Sequence, residues 1–237
     1  MAGHGNPDIV TDGLVLCLDA ADKNSYPGSG TTWFDLTSNN NDGTLVNGPV
    51  FETEYVGGIS FDASDDYGTI SHSSILNLAS TGGTICGVIE YANTSSANAG
   101  WFSKRGSSDT SIPYHMGQPT GTTKIRLIAN NSSTLILLDS TTQIGTNTPA
   151  VFAASFATNG DYKMYINGAL DNSRSGAVTL MDNSHDIIIG DGGAGGSPMG
   201  SSYNADCTIY CIQVYNQVLS ASEVLQNYNA QRNRFGL

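Results

Sequence analysis

Apolar and polar residues alternate with a period of two along most of the chain, which is typical of β-strands. The runs are GLVLCLD (13–19), GISFD (58–62), YGTIS (67–71), TICGVIEY (84–91), GWFSKR (100–105), TKIRLIAN (123–130), STLILLDS (133–140), AVFAASFA (150–157), DYKMYING (161–168), DIIIGD (186–191) and CTIYCIQVY (207–215). Turn sequences such as NNNDG and NGP separate them. Strands joined by turns rather than helices predict an antiparallel β-sandwich. Several runs are apolar on both faces, as expected of central strands that are covered on each side.

One helix is predicted, over residues 220–232. Ser220 and Glu223 form a capping box at its start. Its apolar stripe consists of Val224, Leu225 and Tyr228, while Arg232 and Arg234 complement its negative end. We expect this helix to pack against an edge of the sandwich. No linker or tandem repeat divides the chain, so the sequence predicts a single domain over 1–237 with an N-terminal arm, 1–12.

Charge is scarce and mainly negative. Only 13% of the 237 residues are charged, whereas Ser, Thr and Asn together supply 70 residues. The net charge of −12 and the pI of 4.3 repel phosphate backbones and anionic lipid. Nucleic acid and membrane surfaces are therefore excluded as main partners. The sequence shows neither a signal peptide nor a run of about 18 apolar residues.

The four cysteines all lie in apolar runs, which predicts buried, reduced thiols and folding in a reducing cytoplasm. They are Cys17, Cys86, Cys207 and Cys211. Cys207 and Cys211 are four residues apart in a predicted strand, on one face and roughly 13 Å from each other. This separation exceeds the Cα distance of about 7 Å that a disulfide allows.

Several segments resemble the laminin-G-like branch of the concanavalin A-like jelly rolls. These are GLVLCLDAADKNSYPGSGTTWFDLTSNNNDGTLVNGPVF with ISFDASDDYGTI, the hairpin DYKMYINGAL, and the closing IYCIQVYNQVLSASEVLQNYNAQRNRFGL. The resemblance covers about 12–70 and 149–237, whereas 84–148 fits by strand pattern alone. Two family segments are replaced, W-H-H-V by PAVFAASFATNG and A-W-V by CGVIEY. The versions SYPGSGTTW and NYNAQRNRFGL are similar to modules of tailed bacteriophages.

This resemblance implies a jelly-roll fold and a location on the virion surface of a tailed phage, whereas the missing acid motif and the polar surface rich in Ser, Thr and Asn favour a non-catalytic function. The chain would decorate a phage capsid or form part of a fibre, after synthesis in the host cytoplasm. Its partners would be copies of itself and other virion proteins, and it would either stabilise the particle or help it adhere to host-surface glycans. A calcium-dependent carbohydrate-binding lectin is the alternative function, and a glycoside hydrolase is a third.

Glycoside hydrolysis requires two carboxylates, about 5–5.5 Å apart in retaining enzymes. The glucanase motif E-x-D-x-E is absent from the sequence. Glu52 and Glu54 are two residues apart, so on a strand they would face the same way, roughly 7 Å apart. Without a third acid, this pair is more typical of a solvated strand face than of a catalytic site.

Calcium is the only cofactor that the sequence suggests, and none is required. Asp62, Asp65 and Asp66 lie close together in FDASDDY, and hard cations prefer such carboxylate and carbonyl oxygens. Related laminin-G-like domains often hold calcium at a loop rim. Aspartate is also a common turn residue, so turn formation remains open as the reason for this cluster.

Aromatic side chains and histidine are the candidate sugar contacts. Trp101, Tyr114 and His115 are the candidate carbohydrate-binding residues, and the last two follow Pro113 in a polar segment where we expect exposure. Trp33 and Trp101 are also typical of core residues. A G-x-G-x-x-G match at 190–195 precedes Gly-Ser-Pro-Met-Gly rather than a helix, which indicates a loop and no pyrophosphate site.

Overall fold

A computed structural model describes residues 7–94, 98–106, 111–130, 134–176, 180–200 and 203–237. Its strands are β1 (Leu14–Asp19), β2 (Thr32–Trp33), β3 (Gly43–Val46), β4 (Val50–Glu52), β5 (Gly58–Asp62), β6 (Tyr67–Ile70), β7 (Gly83–Tyr91), β8 (Ala99–Lys104), β9 (Ile112–Gln118), β10 (Arg126–Asn130), β11 (Leu135–Asp139), β12 (Ala150–Phe156), β13 (Asp161–Ile166), β14 (Ala169–Ser175), β15 (Ile187–Ile189) and β16 (Asp206–Tyr215). The helix α1 (Ala221–Phe235) follows β16, and short 3-10 helices span Glu54–Val56 and Ser74–Leu76.

The strands form two antiparallel sheets. The first sheet has the order β14-β13-β12-β7-β16-β5-β4, and β1 also pairs with β16. The second sheet has the order β11-β10-β9-β8-β15-β6-β3-β2. This arrangement confirms the predicted antiparallel β-sandwich.

Large aromatic side chains fill the space between the sheets. Trp33 and Trp101 are both fully buried, which confirms their expected core positions. The rings of Trp101 and Phe152 meet edge to face, with centroids 4.9 Å apart. The indole N–H of Trp101 donates a hydrogen bond of 3.0 Å to the hydroxyl of Tyr91, which satisfies a polar group that burial would otherwise destabilise.

Helix α1 covers the outer face of the first sheet, so the expectation that it packs against an edge is wrong. Val224 packs with Cys86 and Ala153, and Phe235 packs with Val88 in a second cluster. The helix lies there because β7, β12 and β16 are buried along nearly their whole length and present apolar side chains on both faces. Leu225, expected in the apolar stripe, is instead 46% exposed.

The predicted capping box is confirmed at the start of α1. The amide of Glu223 donates to Oγ of Ser220, and the amide of Ser220 donates to Oε2 of Glu223. The helix ends at Phe235, beyond the predicted 232, because Gly236 adopts a left-handed φ of 69°. Of the predicted N-terminal arm, residues 1–6 lie outside the described part of the chain. Val10 of that arm donates from its amide to Oδ1 of Asn227 on α1.

All four cysteines are free and buried, as predicted. Burial raises the pKa of Cys86 to about 12, so its thiol stays protonated at neutral pH. The expectation that Cys207 and Cys211 share one face is wrong. The register of β16 against β7 shifts between Ile209 and Cys211, and this bulge turns Cys211 to the outer cluster while Cys207 faces the inner core.

Candidate functional site

The three candidate sugar-binding side chains are buried. Trp101 and Tyr114 are fully buried and His115 is 3% exposed, so the expected exposure of Tyr114 and His115 is wrong. Tyr114 and His115 lie in β9, a central strand of the second sheet that the polar sequence IPYHMGQ did not predict. None of the three rings can stack on a sugar from these positions.

Specific contacts hold the two β9 side chains inside. The hydroxyl of Tyr114 donates to the carbonyl of Leu76 at 3.0 Å. Nδ1 of His115 lies 3.0 Å from Oγ of Ser103. A Cβ atom at Gly117 would lie 2.9 Å from Nε2 of His115, so this glycine makes room for the imidazole.

The acidic loop, residues 62–66, connects β5 of the first sheet with β6 of the second at one rim of the sandwich. Asp62, Asp65 and Asp66 each place a carboxylate oxygen within 4.8 Å of the others. The structure therefore brings together the three residues that the sequence suggested as calcium ligands. Asp62 also accepts a hydrogen bond of 2.8 Å from the amide of Ser64, as an ordinary turn residue would.

Repulsion accompanies this convergence of carboxylates. Burial raises the pKa of Asp66, and the negative charges of Asp62 and Asp65 raise it further. Burial and the charge of Asp62 also raise the pKa of Asp206, a fourth acid at this rim. The amide of Asn93 donates to Asp206. The site has the oxygen ligands that a hard cation prefers, and a bound cation would relieve the repulsion.

The proposed pair of glutamates does not share a strand face, so that expectation is wrong. Glu52 ends β4, whereas Glu54 begins the 3-10 turn Glu54–Val56. Thr53 between them has the right-handed helical φ and ψ of −93° and −9°, which ends the alternation of the strand.

Glu90 and Tyr210 form a hydrogen-bonded pair on the outer face of the first sheet, and the sequence did not predict this contact. The hydroxyl of Tyr210 donates to Oε2 of Glu90 at 3.1 Å. Burial raises the pKa of Glu90, the hydrogen bond from Tyr210 lowers it, and the charge of Glu54 raises it. These residues are far apart in the sequence, and only the pairing of β7 with β16 brings Glu90 and Tyr210 together.

A lysine is buried at the end of β8. Lys104 is fully buried, and its Nζ donates to the carbonyl of His185 at 2.7 Å. Burial lowers the pKa of Lys104 to about 8, against the opposing charges of Asp182 and Asp186. Both carboxylates also accept backbone hydrogen bonds, Asp186 from His72 and Asp182 from Ala79. Asp182 and Asp186 therefore anchor the backbone of neighbouring loops.

The glycine-rich stretch after β15 folds around a buried acid. Oδ1 of Asp191 accepts hydrogen bonds from the amides of Gly193 at 2.6 Å and Met199 at 2.7 Å. Its described part, residues 190–200, consists of turns and isolated bridges, as the absence of a helix pattern predicted.

A cleft of about 860 Å³ opens beside the C-terminal end of α1. The loop after β1, the turn Glu54–Val56, the start of the described chain and the last turns of α1 form its walls. We call it the helix cleft. Its polar walls include Asp8, Asp22, Lys23 and Asn233.

Arg234 fixes the floor of the helix cleft. Its Nε donates to the carbonyl of Tyr55 at 2.6 Å, and its Nη2 donates to the carbonyl of Gly57 at 2.5 Å. Its Nη1 forms an ion pair with Asp19 at 2.8 Å. One guanidinium thus joins α1, β1 and the turn after β4, which only the forked shape of arginine allows.

The family model Laminin_G_3, described as the concanavalin A-like lectin/glucanases superfamily, matches residues 62–225. The matched segment covers well over half of the 237 residues. The chain belongs to the concanavalin A-like lectin/glucanases superfamily. No curated protein matches this superfamily member. Among its described residues, no helix has the length and apolar character needed to cross a bilayer.

Solved structures of toxins and of a sialidase share the fold of this superfamily member. The binding domain of Paraclostridial Mosquitocidal Protein 1 superposes with a TM-score of 0.73 and 16% identity, over 93% of this chain and 53% of that one. Botulinum neurotoxin type C, whose cell entry depends on interaction with two ganglioside molecules, gives a TM-score of 0.71 and 13% identity, over 92% of this chain and 51% of that one. Trypanosoma rangeli sialidase, in complex with sialic acid, gives 0.67 and 13%, over 95% and 34%. The chain thus spans about half of each toxin chain and a third of the sialidase.

Proposed function

We propose that this chain is a non-catalytic virion surface protein of a tailed phage that adheres to host-surface glycans. It would decorate the capsid or form part of a fibre. The observation that carries this proposal is the lectin-like sandwich itself, whose family match spans residues 62–225. The segments SYPGSGTTW and NYNAQRNRFGL, similar to phage modules, support the virion location.

Glycan adhesion is supported by the ligands of structurally similar proteins. The botulinum type C toxin interacts with gangliosides, and the serotype D ligand-binding domain was solved with N-acetylneuraminic acid. Their sequence identities to this chain are 13% and 16%, so the similarity concerns the fold, and the sugar of this chain is a separate question.

A non-catalytic function is favoured because the motif E-x-D-x-E is absent, and Glu52 and Glu54 lie in different elements rather than on one strand. The competing glycosidase hypothesis predicts polysaccharide turnover that is lost on substitution of Glu52 or Glu54. The same assay with Glu90→Gln tests the acid that the fold places near Glu54. Turnover that any of these substitutions abolishes would contradict the non-catalytic proposal.

A calcium-dependent lectin is the second candidate. The observation that favours it is the convergence of Asp62, Asp65 and Asp66 within 4.8 Å. Calcium at this rim would neutralise the acidic loop and would offer open coordination positions to sugar hydroxyls.

A glycan array, probed with and without a chelator, tests adhesion and separates the two candidates. Binding that survives chelation supports adhesion without calcium, and binding that chelation abolishes supports the calcium-dependent lectin. An absence of binding under both conditions contradicts adhesion and leaves only a structural role. Antibodies raised against the chain test the virion location, because they should label the surface of intact phage particles in electron micrographs.

Self-association is part of the proposal, since virion surface proteins are usually symmetric oligomers. Multi-angle light scattering of the purified chain should give a mass of at least twice 24.8 kDa and a whole multiple of it. A monomer at every concentration would contradict assembly by this chain alone.

A further inference from the structure

The helix cleft has the size of a ligand site. Its volume of about 860 Å³ lies within the range of roughly 300–1,000 Å³ that small-molecule sites occupy. Four separate chain segments form its walls, and the three hydrogen bonds of Arg234 hold two of them at fixed positions. The cleft is therefore pre-formed, which reduces the entropy lost on binding.

The backbone at the rim of the helix cleft is strained. Tyr55 and Val56 have left-handed φ values of 48° and 73°, which are unfavourable for side chains with a Cβ and most of all for a β-branched valine. Strain of this kind tends to cluster at functional sites.

The strained valine gains nothing from packing. The side chain of Val56 is 71% exposed, the largest exposure among the large apolar residues of the described chain. Val56 lies at the cleft wall, where its side chain forms an exposed apolar surface. Neither the core nor the capping of α1 explains why valine, rather than glycine, occupies this position.

The remaining cleft groups are suited to hydroxyls. Arg234 and Asp19 neutralise each other. The remaining acceptors are the carboxylate of Asp8 and Oδ2 of Asp22, whose Oδ1 already accepts from Asn24, and the ammonium of Lys23 is the donor. Lys23 is exposed and forms no ion pair within the described residues. Two acids against one base give this wall a net negative charge, which disfavours anionic ligands.

We propose that the helix cleft binds neutral hexose residues of a glycan, with Val56 against an apolar sugar face and Asp22 and Lys23 on the hydroxyls. This inference rests on the proposed adhesion to glycans and adds the site and the sugar class. It differs from the rim hypothesis because the helix cleft uses no acid of the loop 62–66.

Titrations of the isotope-labelled chain, followed by amide NMR shifts, test the inference. The probes are the methyl glycosides of glucose, galactose, mannose and N-acetylglucosamine, with N-acetylneuraminic acid as the anionic comparison. At least one neutral glycoside should shift the amides of Ala21, Lys23 and Asn233. The anionic sugar should bind the helix cleft roughly tenfold more weakly, or not at all.

Two substitutions and a matched control make the test specific. Lys23→Ala and Val56→Gly should each raise the Kd of the neutral glycoside by roughly fivefold to tenfold. Val56→Gly should also raise the Tm, since glycine relieves the left-handed strain. Asn147→Gly removes an exposed side chain at another left-handed position, φ 49°, outside both candidate sites, and should leave the Kd unchanged.

Each result has a defined consequence. Glycosides that shift the amides of Asp62–Asp66 instead would overturn the helix cleft as the glycan site, but they would still support glycan adhesion. Cleft shifts with Kd values that stay within about twofold in both cleft variants would overturn the assigned contacts. An absence of shifts with every probe, together with a blank glycan array, would overturn both the inference and the proposed adhesion.

Discussion

The Nζ atom of Lys104 lies 3.2 Å from Nδ1 of His72, at the boundary between a fully buried amine and an exposed ring. The ammonium group of Lys104 thus faces the imidazole of His72 as a hydrogen-bond donor, which favours the neutral form of the ring. Burial lowers the pKa of His72, and the charge of Lys104 lowers it further. Asp186 raises this pKa and His185 lowers it.

This contact predicts a loss of stability in mild acid. The unfolded chain binds a proton at His72 near the ordinary pKa of about 6.5, and the folded chain binds it only at lower pH. The free energy of unfolding should therefore fall as the pH decreases through about 6.5. Thermal melts between about pH 7.5 and 5 measure this loss, which should be smaller in His72→Gln. Parallel curves for the two proteins would rule out His72 as the cause.

Arg234 should contribute far more to the stability of the fold than its neighbour Arg232. Arg234→Ala removes three hydrogen bonds, leaves Asp19 without its ion pair, and should lower the free energy of unfolding by about 2–4 kcal/mol. Arg232 is exposed, and its guanidinium carbon lies 5.9 Å from the centroid of the Tyr228 ring. Arg232→Ala should therefore change the free energy of unfolding by about 0.5 kcal/mol or less. Urea unfolding compares the two variants. Equal effects would mean that the Arg234 contacts contribute little.

For the acidic loop, we expect Asp65→Asn to raise the Tm without calcium and to reduce the rise in Tm that calcium causes. In a chelator, Asp65→Asn should raise the Tm, because it removes one of three repelling carboxylates. In calcium, the wild-type Tm should rise by linkage, and Asp65→Asn should lose most of that rise. Thermal melts in both buffers provide the measurement. A wild-type Tm that is identical in calcium and in chelator would argue against any cation at this loop.

Tyr114 should contribute to the stability of the fold rather than to glycan binding. Tyr114→Phe loses the hydrogen bond to the carbonyl of Leu76, so the free energy of unfolding should fall by about 1–2 kcal/mol. Tyr67→Phe is the matched control, since the hydroxyl of Tyr67 has no hydrogen bond within the described residues. Glycan binding by the folded Tyr114→Phe protein should equal that of the wild type. A selective loss of binding at unchanged stability would return Tyr114 to the list of sugar contacts.

The features that the sequence alone determined are local. An alternating run such as that of β10 identifies a strand because side chains of successive residues point to opposite faces. The capping box of Ser220 and Glu223 spans only four residues, so its hydrogen bonds form when a helix begins there. Asp62, Asp65 and Asp66 are neighbours in the chain, and one turn is sufficient to bring them together.

Features that join distant segments were decided only by the tertiary structure. The polar string IPYHMGQ gave no strand signal, and β9 is buried because β8 and β10 flank it and side chains such as Ser103 meet its polar groups. A bulge in β16 reversed the face of Cys211, which no spacing in the sequence reports. Arg234 contacts Tyr55, which is 179 positions away in the sequence, and Lys104 contacts His72, which is 32 positions away. Sheet order and register place such partners together, and these depend on the packing of the whole core rather than on any local pattern.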